Sequence, residues 1–520
     1  MNVAAVALRR PAAAWMRSTA GVRVLEGVGL LALVALSLLL RTTEMATDFW
    51  IDEALSVGIS SRPLLDIPET LRLDGSPPLY YLVLHGWIAL VGDGVVATHW
   101  LSLIFALLCI PVAFWVGASL FDRRVAWILA ALTALCPFLT SYAQETRMYS
   151  LVILLALPCT ACFLHAYVYG RRAYRIPFGV LLAALLYTHN WALFLVAAFL
   201  LAGAICRREE RASTKDLAIG FGTALALYLP WVPTFVFQAL HTGAPWATAP
   251  TLTTLVRSSD RLLGGEAGTV VVLLVGGAGL VTLARSGRLE RRVLVPALLL
   301  LAVSPIVLAW LTSQVSPAWA TRYLAIAVAP MLVLAAVGLR NAGRLGVAGL
   351  AVLAVFWVFE SAPPSKSNAV DIATELGPAL GPGDLVISTQ PEQVPVLSYY
   401  LEDETSGLTY ATPFGVQEDL GVTDWRDGPE HFDATGVDTE LLPLLDEAPV
   451  GGDVLLVVPI ISNPERWVAP WTSRVRDRSI EYEGVLRGDP RFELLEVMPE
   501  DTESPGPNPL EGLLFRKVRG

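Results

Sequence analysis

Apolar and polar positions divide the chain near residue 360. Before that point, apolar runs long enough to form membrane-spanning helices follow one another, separated by short polar links. The pattern predicts about eleven spans, at residues 24–40, 98–120, 125–141, 149–169, 176–188, 191–206, 216–236, 268–284, 293–312, 322–339 and 345–360. The chain is therefore predicted to be a polytopic α-helical membrane protein.

Arginine clusters between the runs predict the topology, because cytoplasmic loops are enriched in Lys and Arg. The clusters are Arg9–Arg23, Arg123/Arg124, Arg171/Arg172/Arg175, Arg207/Arg208/Arg211, Arg285–Arg292 and Arg340/Arg344. With all of them inside, the N-terminus lies inside and the C-terminus outside. The same parity requires the chain to turn at 187–191. No small-residue cleavage site follows the first apolar run, so we expect an uncleaved first span.

One apolar run is not counted as a span. The stretch PPLYYLVLHGWIALVG, residues 77–92, is shorter than a full span and opens with two prolines. Counting it would also break the parity of the topology. We expect a helix in the outer interface, with Tyr80, Tyr81 and Trp87 at the level of the lipid headgroups.

The tail beyond residue 360 has a different pattern. A predicted linker, 361–368, is followed by helices at 371–380 and 391–401 and by strands at 384–389, 453–461, 491–498 and 510–518. Such alternation is typical of a small α/β domain. The stretch 413–452 is acidic and rich in Gly, Pro and Asp, and we expect a long ordered loop there. The predicted domains are therefore a membrane domain, 1–360, and an extracytoplasmic α/β domain, 361–520.

Composition and charge support this division. The chain is 54% hydrophobic and only 16% charged, whereas soluble proteins carry about a quarter charged residues. Residues 1–360 hold 26 Lys and Arg against 18 Asp and Glu, and residues 361–520 hold 11 against 29. An acidic exported domain argues against nucleic acid as a partner. All five cysteines lie in apolar runs, which excludes a disulfide-stapled exterior domain.

The predicted topology places the polar residues that could carry chemistry on the outer side. The first outer loop, 41–97, contains Asp52, Glu53 and His85. Later outer loops, 142–148, 188–191, 237–267 and 313–321, contain or border further candidates, namely Glu145, Arg147, His189, Arg322 and Tyr323. The cytoplasmic loops are short and rich in arginine, so we expect extracytoplasmic chemistry.

Five stretches in this order resemble a known family. They are WIDEA (50–54), DGSPPLYYLVLHGW (74–87), YAQETRMYSL (142–151), YTHNW (187–191) and WATRYL (319–324). Residues 24–340 thereby resemble the GT-C membrane glycosyltransferases, specifically the glycosyltransferase 39 type, which includes protein O-mannosyltransferases and lipid A aminoarabinose transferases. The resemblance implies a GT-C-like transmembrane glycosyltransferase domain, a polyprenyl-phosphate sugar donor, inversion at the anomeric carbon, and Asp52 as the catalytic base.

One departure from the aminoarabinose branch concerns the acceptor. That branch carries a lysine before the proline that opens the interfacial helix, whereas this chain has Ser76 before Pro77. One phosphate contact of the branch is missing, which argues against lipid A as the acceptor. The acceptor is left open as an extracytoplasmic glycan, lipid or protein hydroxyl, and the sugar as a hexose or a pentose. The almost exclusive use of Arg over Lys hints at a bacterial plasma membrane.

The residue chemistry agrees with the resemblance. Transfer needs a base for the acceptor hydroxyl, which suits Asp52, with Glu53 beside it to orient the acceptor. It also needs positive charge on the departing phosphate, which suits Arg147 and Arg322 because a guanidinium matches phosphate oxygens bidentately. His189 could donate a hydrogen bond to the phosphate. Tyr323, His85 and Glu145 complete the predicted substrate-binding set, and Glu145 could instead bind a divalent cation.

Structural roles remain open for the same residues. Asp52 and Glu53 could only cap the helix that follows them. Glu145 and Arg147 could form a structural ion pair, and His189 could serve as an inter-helix hydrogen-bonding group. A membrane transporter or flippase for a lipid-linked sugar, and a non-catalytic scaffold that presents the tail, are the alternative functions.

Overall fold

The computed structural model describes residues 20–359, 366–499 and 508–520. They form two compact units. The first comprises residues 20–45, 98–233 and 249–359, and the second comprises residues 46–97, 234–248 and the described tail. The N-terminal arginines Arg9, Arg10 and Arg17, and the linker residues 361–365, lie outside the described residues. The predicted division into domains at residue 360 stays a prediction.

The chain before the tail is built of helices. In chain order they are α1 (Ala20–Leu40), α2 (Ile51–Ser60), α3 (Ile67–Asp74), α4 (Leu79–Val91), α5 (Val95–Leu120), α6 (Arg123–Leu135), α7 (Pro137–Tyr142), α8 (Tyr149–Phe163), α9 (Arg175–Leu186), α10 (Ala192–Arg208), α11 (Thr214–Tyr228), α12 (Val232–His241), α13 (Leu252–Leu262), α14 (Gly265–Val271), α15 (Gly277–Ser286), α16 (Val295–Thr312), α17 (Ala325–Asn341) and α18 (Arg344–Phe359). Short 3-10 turns lie at Arg172–Tyr174, Leu229–Trp231 and Thr321–Leu324, and π turns at Leu164–Val168, Val272–Gly276 and Glu290–Leu294.

Seven helical stretches of the described chain are long and apolar enough to cross a membrane. They are Gly21–Leu40, Val95–Leu120, Tyr149–Val168, Thr214–His241, Gly265–Ser286, Glu290–Thr312 and Thr321–Asn341. This confirms a polytopic α-helical membrane protein, but it does not confirm the count of eleven. The predicted span 125–141 is split into α6 and α7 at Pro137, which lacks the N–H that a continuous helix needs.

Two predicted features of the helical part are present as elements. The chain turns between α9 and α10 at residues 187–191, as the arginine parity required. The uncounted run at 77–92 forms the separate helix α4 of 13 residues, too short for an ordinary span.

The end of α1 is fixed by a buried arginine in the first unit. The Arg41 guanidinium donates to the carbonyl oxygens of Ala106 at 3.2 Å and Thr133 at 2.7 Å, in α5 and α6. A charge in this position needs such partners, because leaving a buried donor unpaired costs about 1–3 kcal/mol or more. The bonds therefore join three helices at one point.

The tail alternates helices and strands. Its helices are α19 (Ala369–Leu376), α20 (Val394–Glu404), α21 (Gly428–Ala434), α22 (Leu442–Glu447) and α23 (Pro470–Gly488). Its strands are β1 (Leu385–Ser388), β2 (Thr409–Thr412), β3 (Gly415–Val416), β4 (Asp453–Pro459), β5 (Phe492–Met498) and β6 (Leu510–Lys517). Short 3-10 turns lie at Gly377–Ala379, Pro391–Gln393 and Pro464–Arg466, and a π turn at Val437–Leu441.

The strands form one mixed sheet in the order β3-β2-β1-β4-β6-β5. β1 is parallel to β2 and β4, and the remaining pairs are antiparallel. Alternate residues of β1 and β4 face opposite cores. One core contains Val386 and Leu455 with α19 and α20, and the other contains Ile387 and Leu456 with α22 and α23. The tail thus has the predicted α/β architecture, with helices on both faces of the sheet.

All six tail elements predicted from the sequence are present, but the sequence analysis missed others. The short strands β2 and β3 and the 19-residue helix α23 were not predicted. Part of the stretch 413–452, expected to be a loop, forms β3, α21 and α22. The buried face of α23 repeats at helical spacing, with Trp471, Val475, Ser479, Tyr482 and Leu486. That pattern was readable, but the many charged residues between these positions obscured it.

The segment before and within α2 is part of the tail core. Phe49 is fully buried and clusters with Ala54, Val57 and the apolar residues of α19 and α20. The Phe49 backbone N–H donates to the Tyr400 hydroxyl at 2.7 Å. Near the end of α2, Gly58 lies against Gly421 so closely that a Cβ at Gly58 would overlap the Gly421 backbone. The second unit therefore packs closely against α2.

Substituting Gly58 by Ala should destabilise the second unit by about 1–3 kcal/mol, because the added methyl group overlaps backbone. The matched control is Gly86→Ala in α4, where a Cβ meets nothing within 4 Å. That change should be neutral or stabilising by up to about 1 kcal/mol, since Ala is the better helix former. Thermal unfolding of the full chain, followed by tryptophan fluorescence, measures both. Equal unfolding temperatures for the two variants would contradict the described packing of α2.

Candidate functional site

The eight predicted site residues fall into two groups. Glu145, Arg147, His189, Arg322 and Tyr323 belong to the first unit, and Asp52, Glu53 and His85 belong to the second. Each group is described within its own unit.

The first group is assembled by a chain of ring contacts. Tyr149 lies 4.8 Å from Tyr142 and 6.0 Å from the His189 ring, measured between centroids. His189 in turn lies 5.0 Å from Tyr323, which lies 5.2 Å from Trp191. The start of α8, the turn at 187–191 and the 3-10 turn at Thr321–Leu324 thus meet. We call these rings the aromatic cluster.

Two guanidinium groups lie on this aromatic cluster. The Arg147 Cζ is 5.9 Å from the Tyr149 ring, and the Arg322 Cζ is 5.3 Å from the Tyr323 ring. Such cation–π contacts help to hold an arginine in place. The structure therefore brings together the two arginines predicted to bind phosphate.

A carboxylate and a third arginine act electrostatically on Tyr142, a member of the aromatic cluster. Burial raises the pKa of the Tyr142 hydroxyl, Glu145 and Tyr149 raise it further, and Arg322 and Arg261 oppose them. Glu145, Arg322 and Arg261 thus all lie near Tyr142. The sequence analysis did not single out Arg261, although it lies in the predicted outer loop 237–267, where the positive-inside rule leaves an arginine unexplained.

His189 is held neutral. Burial lowers its pKa to about 3, and the charges of Arg147 and Arg322 lower it as well. Its Nδ1 accepts the Trp191 backbone N–H at 3.1 Å. In a neutral ring the proton is then on Nε2, which can donate one hydrogen bond.

The second group is centred on α2. The N-cap residue is Trp50, and it gives no side-chain capping bond, while Asp52 and Glu53 lie in the first helical turn. Neither acid is the N-cap, and at this position both interact favourably with the helix dipole. Glu53 is only 2% exposed. The Lys366 Nζ lies 5.4 Å from the Trp50 ring, which places a cation at the start of α2.

His85 has a structural contact. Its Nδ1 lies 2.8 Å from the carbonyl oxygen of Ser60, at the other end of α2. Eight residues separate Ser60 from Asp52, which corresponds to roughly 12 Å along a helix. The bond ties α4 to the end of α2, and substrate binding by His85 stays a prediction.

One residue near Asp52 was missed by the sequence analysis. Glu392, in the turn after β1, is 5% exposed and belongs to the second unit. Burial raises the pKa of its carboxyl, bonds from Gln390, its own backbone and Trp471 lower it, and the Asp52 charge raises it again. Its position directly after a buried strand, at the carboxyl end of a parallel pair, could have identified it.

Metal ligation is not indicated by clustering. Among the residues that the structure describes, no group of three or more His, Cys, Asp or Glu side chains could hold a metal ion. A divalent cation at Glu145 therefore stays a prediction.

No protein-family profile and no curated protein matches the sequence. Solved structures do match. They include ArnT from Cupriavidus metallidurans in the apo state, at 12% identity and a TM-score of 0.63 over 95% of this chain and 98% of that one. The same protein bound to undecaprenyl phosphate matches at 13% identity and a TM-score of 0.57 over 97% and 99% of the two chains. The chain has the GT-C fold.

The GT-C fold confirms the architecture that the five sequence stretches implied. The structural likeness also extends further than those stretches, because it covers 95% of the chain rather than residues 24–340 alone. The likeness to ArnT therefore takes in the tail as well as the helical part. At this level of identity it establishes the fold, and the roles of individual residues have to be argued from their surroundings.

The neutral state of His189 predicts a pH dependence of stability. An unfolded histidine titrates near pH 6.5, whereas the folded one stays neutral down to about pH 3. The unfolded chain therefore binds more protons below pH 6.5, and stability is lost as the pH falls. When the pH falls from 7.5 to 5, His189 should lower the free energy of unfolding by about 2 kcal/mol.

Thermal unfolding of the wild type and of His189→Gln at the two pH values measures this loss of stability. The wild type should lose more stability than the variant on acidification, because glutamine does not titrate. If both chains lose the same amount, His189 is charged or exposed in the folded protein, and the described environment is wrong.

Proposed function

We propose that this chain is a membrane glycosyltransferase that transfers a sugar from a polyprenyl-phosphate donor to a hydroxyl of an extracytoplasmic acceptor. The observation that carries the proposal is the set formed by Arg147, Arg322 and neutral His189 on one aromatic cluster. This set lies in a chain with the fold of ArnT, a protein whose structure was solved bound to undecaprenyl phosphate.

The first-unit group suits the donor phosphate. Two guanidinium groups supply positive charge that does not vary with pH, and the Nε2–H of His189 supplies a neutral donor. Negative charge develops on the phosphate as the sugar leaves, so fixed donors there stabilise the transition state more than the ground state. Tyr323 and Tyr149 hold the arginines, and Glu145 orients Arg322 or, in the alternative, binds a cation.

The second-unit group suits the base. In the proposed inverting step, the acceptor oxygen forms a bond to the anomeric carbon as the bond from that carbon to the phosphate oxygen breaks. The electron pair of the broken bond leaves with the polyprenyl phosphate. The hydroxyl proton moves to the Asp52 carboxylate. Glu53, on the next position of α2, is assigned to orienting the acceptor.

Acceptor and location follow from the sequence. Ser76 in place of a lysine argues against lipid A, and the acceptor is a glycan, lipid or protein hydroxyl outside the cytoplasm. The arginine topology puts the site and the α/β tail on the extracytoplasmic face of a plasma membrane, in keeping with a lipid-linked donor. The arginine-rich composition favours a bacterial source.

The base assignment predicts the effect of Asp52→Asn. Asparagine keeps the size of aspartate but cannot take the proton, and general-base catalysis is typically worth about 10² to 10⁴ in rate. Transfer from the true donor should therefore fall to about one per cent or less, with normal insertion and stability. Membranes incubated with a panel of labelled polyprenyl-phosphate sugars, followed by product identification, give both the donor and the rate.

Glu53→Gln is the matched control for this change, because it removes the neighbouring charge on the same helical turn. Its loss of activity should be smaller. Full turnover by Asp52→Asn would rule out Asp52 as the base, and no transfer from any donor of the panel by the wild type would overturn the proposed function.

The phosphate assignment predicts a loss of donor affinity in Arg147→Ala and Arg322→Ala. A charge-assisted hydrogen bond is worth about 1.5–3 kcal/mol, or one to two decades in Kd. Arg322→Lys should restore only part of the loss, because a point charge lacks the planar fork. Equilibrium binding of polyprenyl phosphate to the purified variants measures it.

Arg123→Ala is the control, since Arg123 lies at the start of α6 and pairs with Glu26 at 3.0 Å. It should leave the donor Kd unchanged. If the Kd values for Arg147→Ala and Arg322→Ala also match the wild type, the phosphate lies elsewhere.

A further inference from the structure

Glu392 occupies the place in the tail sheet where chain connections diverge. From β1 the chain runs through α20 to β2 on one side, while β4 lies on the other side of β1. Open α/β sheets bind ligands outside the carboxyl ends of strands at such a point. The turn Pro391–Gln393, which follows β1, carries Glu392 there.

The hydrogen bonds described for Glu392 come from neutral groups. The Trp471 indole Nε1–H donates to Oε1 at 2.9 Å and lies 3.1 Å from Oε2. The Gln390 side-chain amide donates to Oε1 at 2.8 Å. These bonds fix the carboxyl group without neutralising a charge on it.

The charged groups described on the neighbouring elements have contacts of their own or are acidic. On α23, Arg474 pairs with Asp433 and Arg478 with Glu481. Lys366 lies over the Trp50 ring. On α2 the facing groups are acids. The Asp52 charge acts on the Glu392 carboxyl, and the Glu53 charge acts on the Tyr400 hydroxyl of α20.

The turn that carries Glu392 packs against the helix that carries Asp52. Their Cα atoms approach to within 8 Å, and both elements belong to the second unit. Burial and a nearby second carboxylate both disfavour a negative charge on Glu392, because that charge is poorly solvated and is repelled by its neighbour.

We propose that Glu392 is a positioning residue for the reaction at Asp52: it remains protonated near Asp52 and so adds no second negative charge beside the base. The proposal rests on the proposed function for its catalytic meaning. In this arrangement the tail domain contributes to the site directly, through a carboxyl group held by Trp471. Ionisation of Glu392 at alkaline pH adds a second negative charge next to the base and displaces it.

Infrared difference spectroscopy tests the protonation state without any assay of transfer. The purified wild-type chain at pH 7 should show a protonated-carboxyl band that is absent from Glu392→Gln. In Asp52→Asn the same band should disappear about one pH unit lower than in the wild type, because a repelling charge has been removed. A wild-type spectrum identical to that of Glu392→Gln in this region would overturn the proposal.

The pH profile of kcat/KM tests the link to the reaction. The kcat/KM of the wild type should fall at alkaline pH. Glu392→Gln keeps an acceptor for Trp471 but cannot ionise, so its kcat/KM should not show this alkaline fall. Trp471→Phe removes a donor that favours ionised Glu392, so its alkaline limb should move upward by about one pH unit. A merely structural role would lower activity at every pH and leave the limb in place, which would contradict the proposal.

The two experiments separate the two ideas. If the wild type transfers no sugar from any donor of the panel, the proposed function fails, while the infrared band still decides whether Glu392 is protonated. If transfer occurs and the alkaline limb survives in Glu392→Gln, the proposed function stands and the role of Glu392 is refuted.

Discussion

The second unit depends on the burial of the Asp52 segment in the core of the tail. Phe49, Ala54 and Val57 share one apolar cluster with α19 and α20. Burying a side chain as large as Phe49 is worth about 1.5–3 kcal/mol, and the Tyr400 hydroxyl pairs its backbone N–H. Residues separated by some 350 positions therefore fold as one compact body, and the orientation of α2 is set by packing rather than by an N-cap. A helix held in this way presents Asp52 at a fixed angle, as the role of base that we propose for it requires.

In the first unit, burial determines which ionisable side chains carry a charge. Arginine remains protonated in proteins, so Arg147 and Arg322 stay positive on their aromatic supports. A histidine loses its proton in the same environment, so His189 is a neutral hydrogen-bond donor with a defined tautomer. The result is a group whose positive charge does not depend on pH near neutrality. Such a group suits a phosphate, whereas a histidinium would lose its charge within the physiological range.

Most of the fold could be predicted from the sequence, and some of the residues that the structure brings together at the candidate site could be as well. The period of the apolar positions and the placement of the arginines were enough to predict the long spans, the turn at 187–191 and the strands β1, β4, β5 and β6. Each of these has a strong local signal. The short edge strand β3 and the charged helix α23 have weak local signals and are stabilised by tertiary packing. Local motifs also singled out Arg147, His189 and Arg322, whose roles stay predictions. Arg261 and Glu392 were missed because their significance arises only when distant segments meet.

The buried ionisable groups of the tail show why Glu392 stands apart. Asp453 is buried and receives two bonds of 2.7 Å from Arg516, so its charge is balanced. The Lys517 ammonium donates to three carbonyl oxygens around the end of α22, at 2.8, 3.0 and 2.8 Å. Both are explained as structural groups. Glu392 is as deeply buried, but its described donors are neutral and its facing partner on α2 is another acid. Burying a carboxyl group in that way costs stability unless it keeps its proton. That cost is consistent with the role that we propose for Glu392 at Asp52.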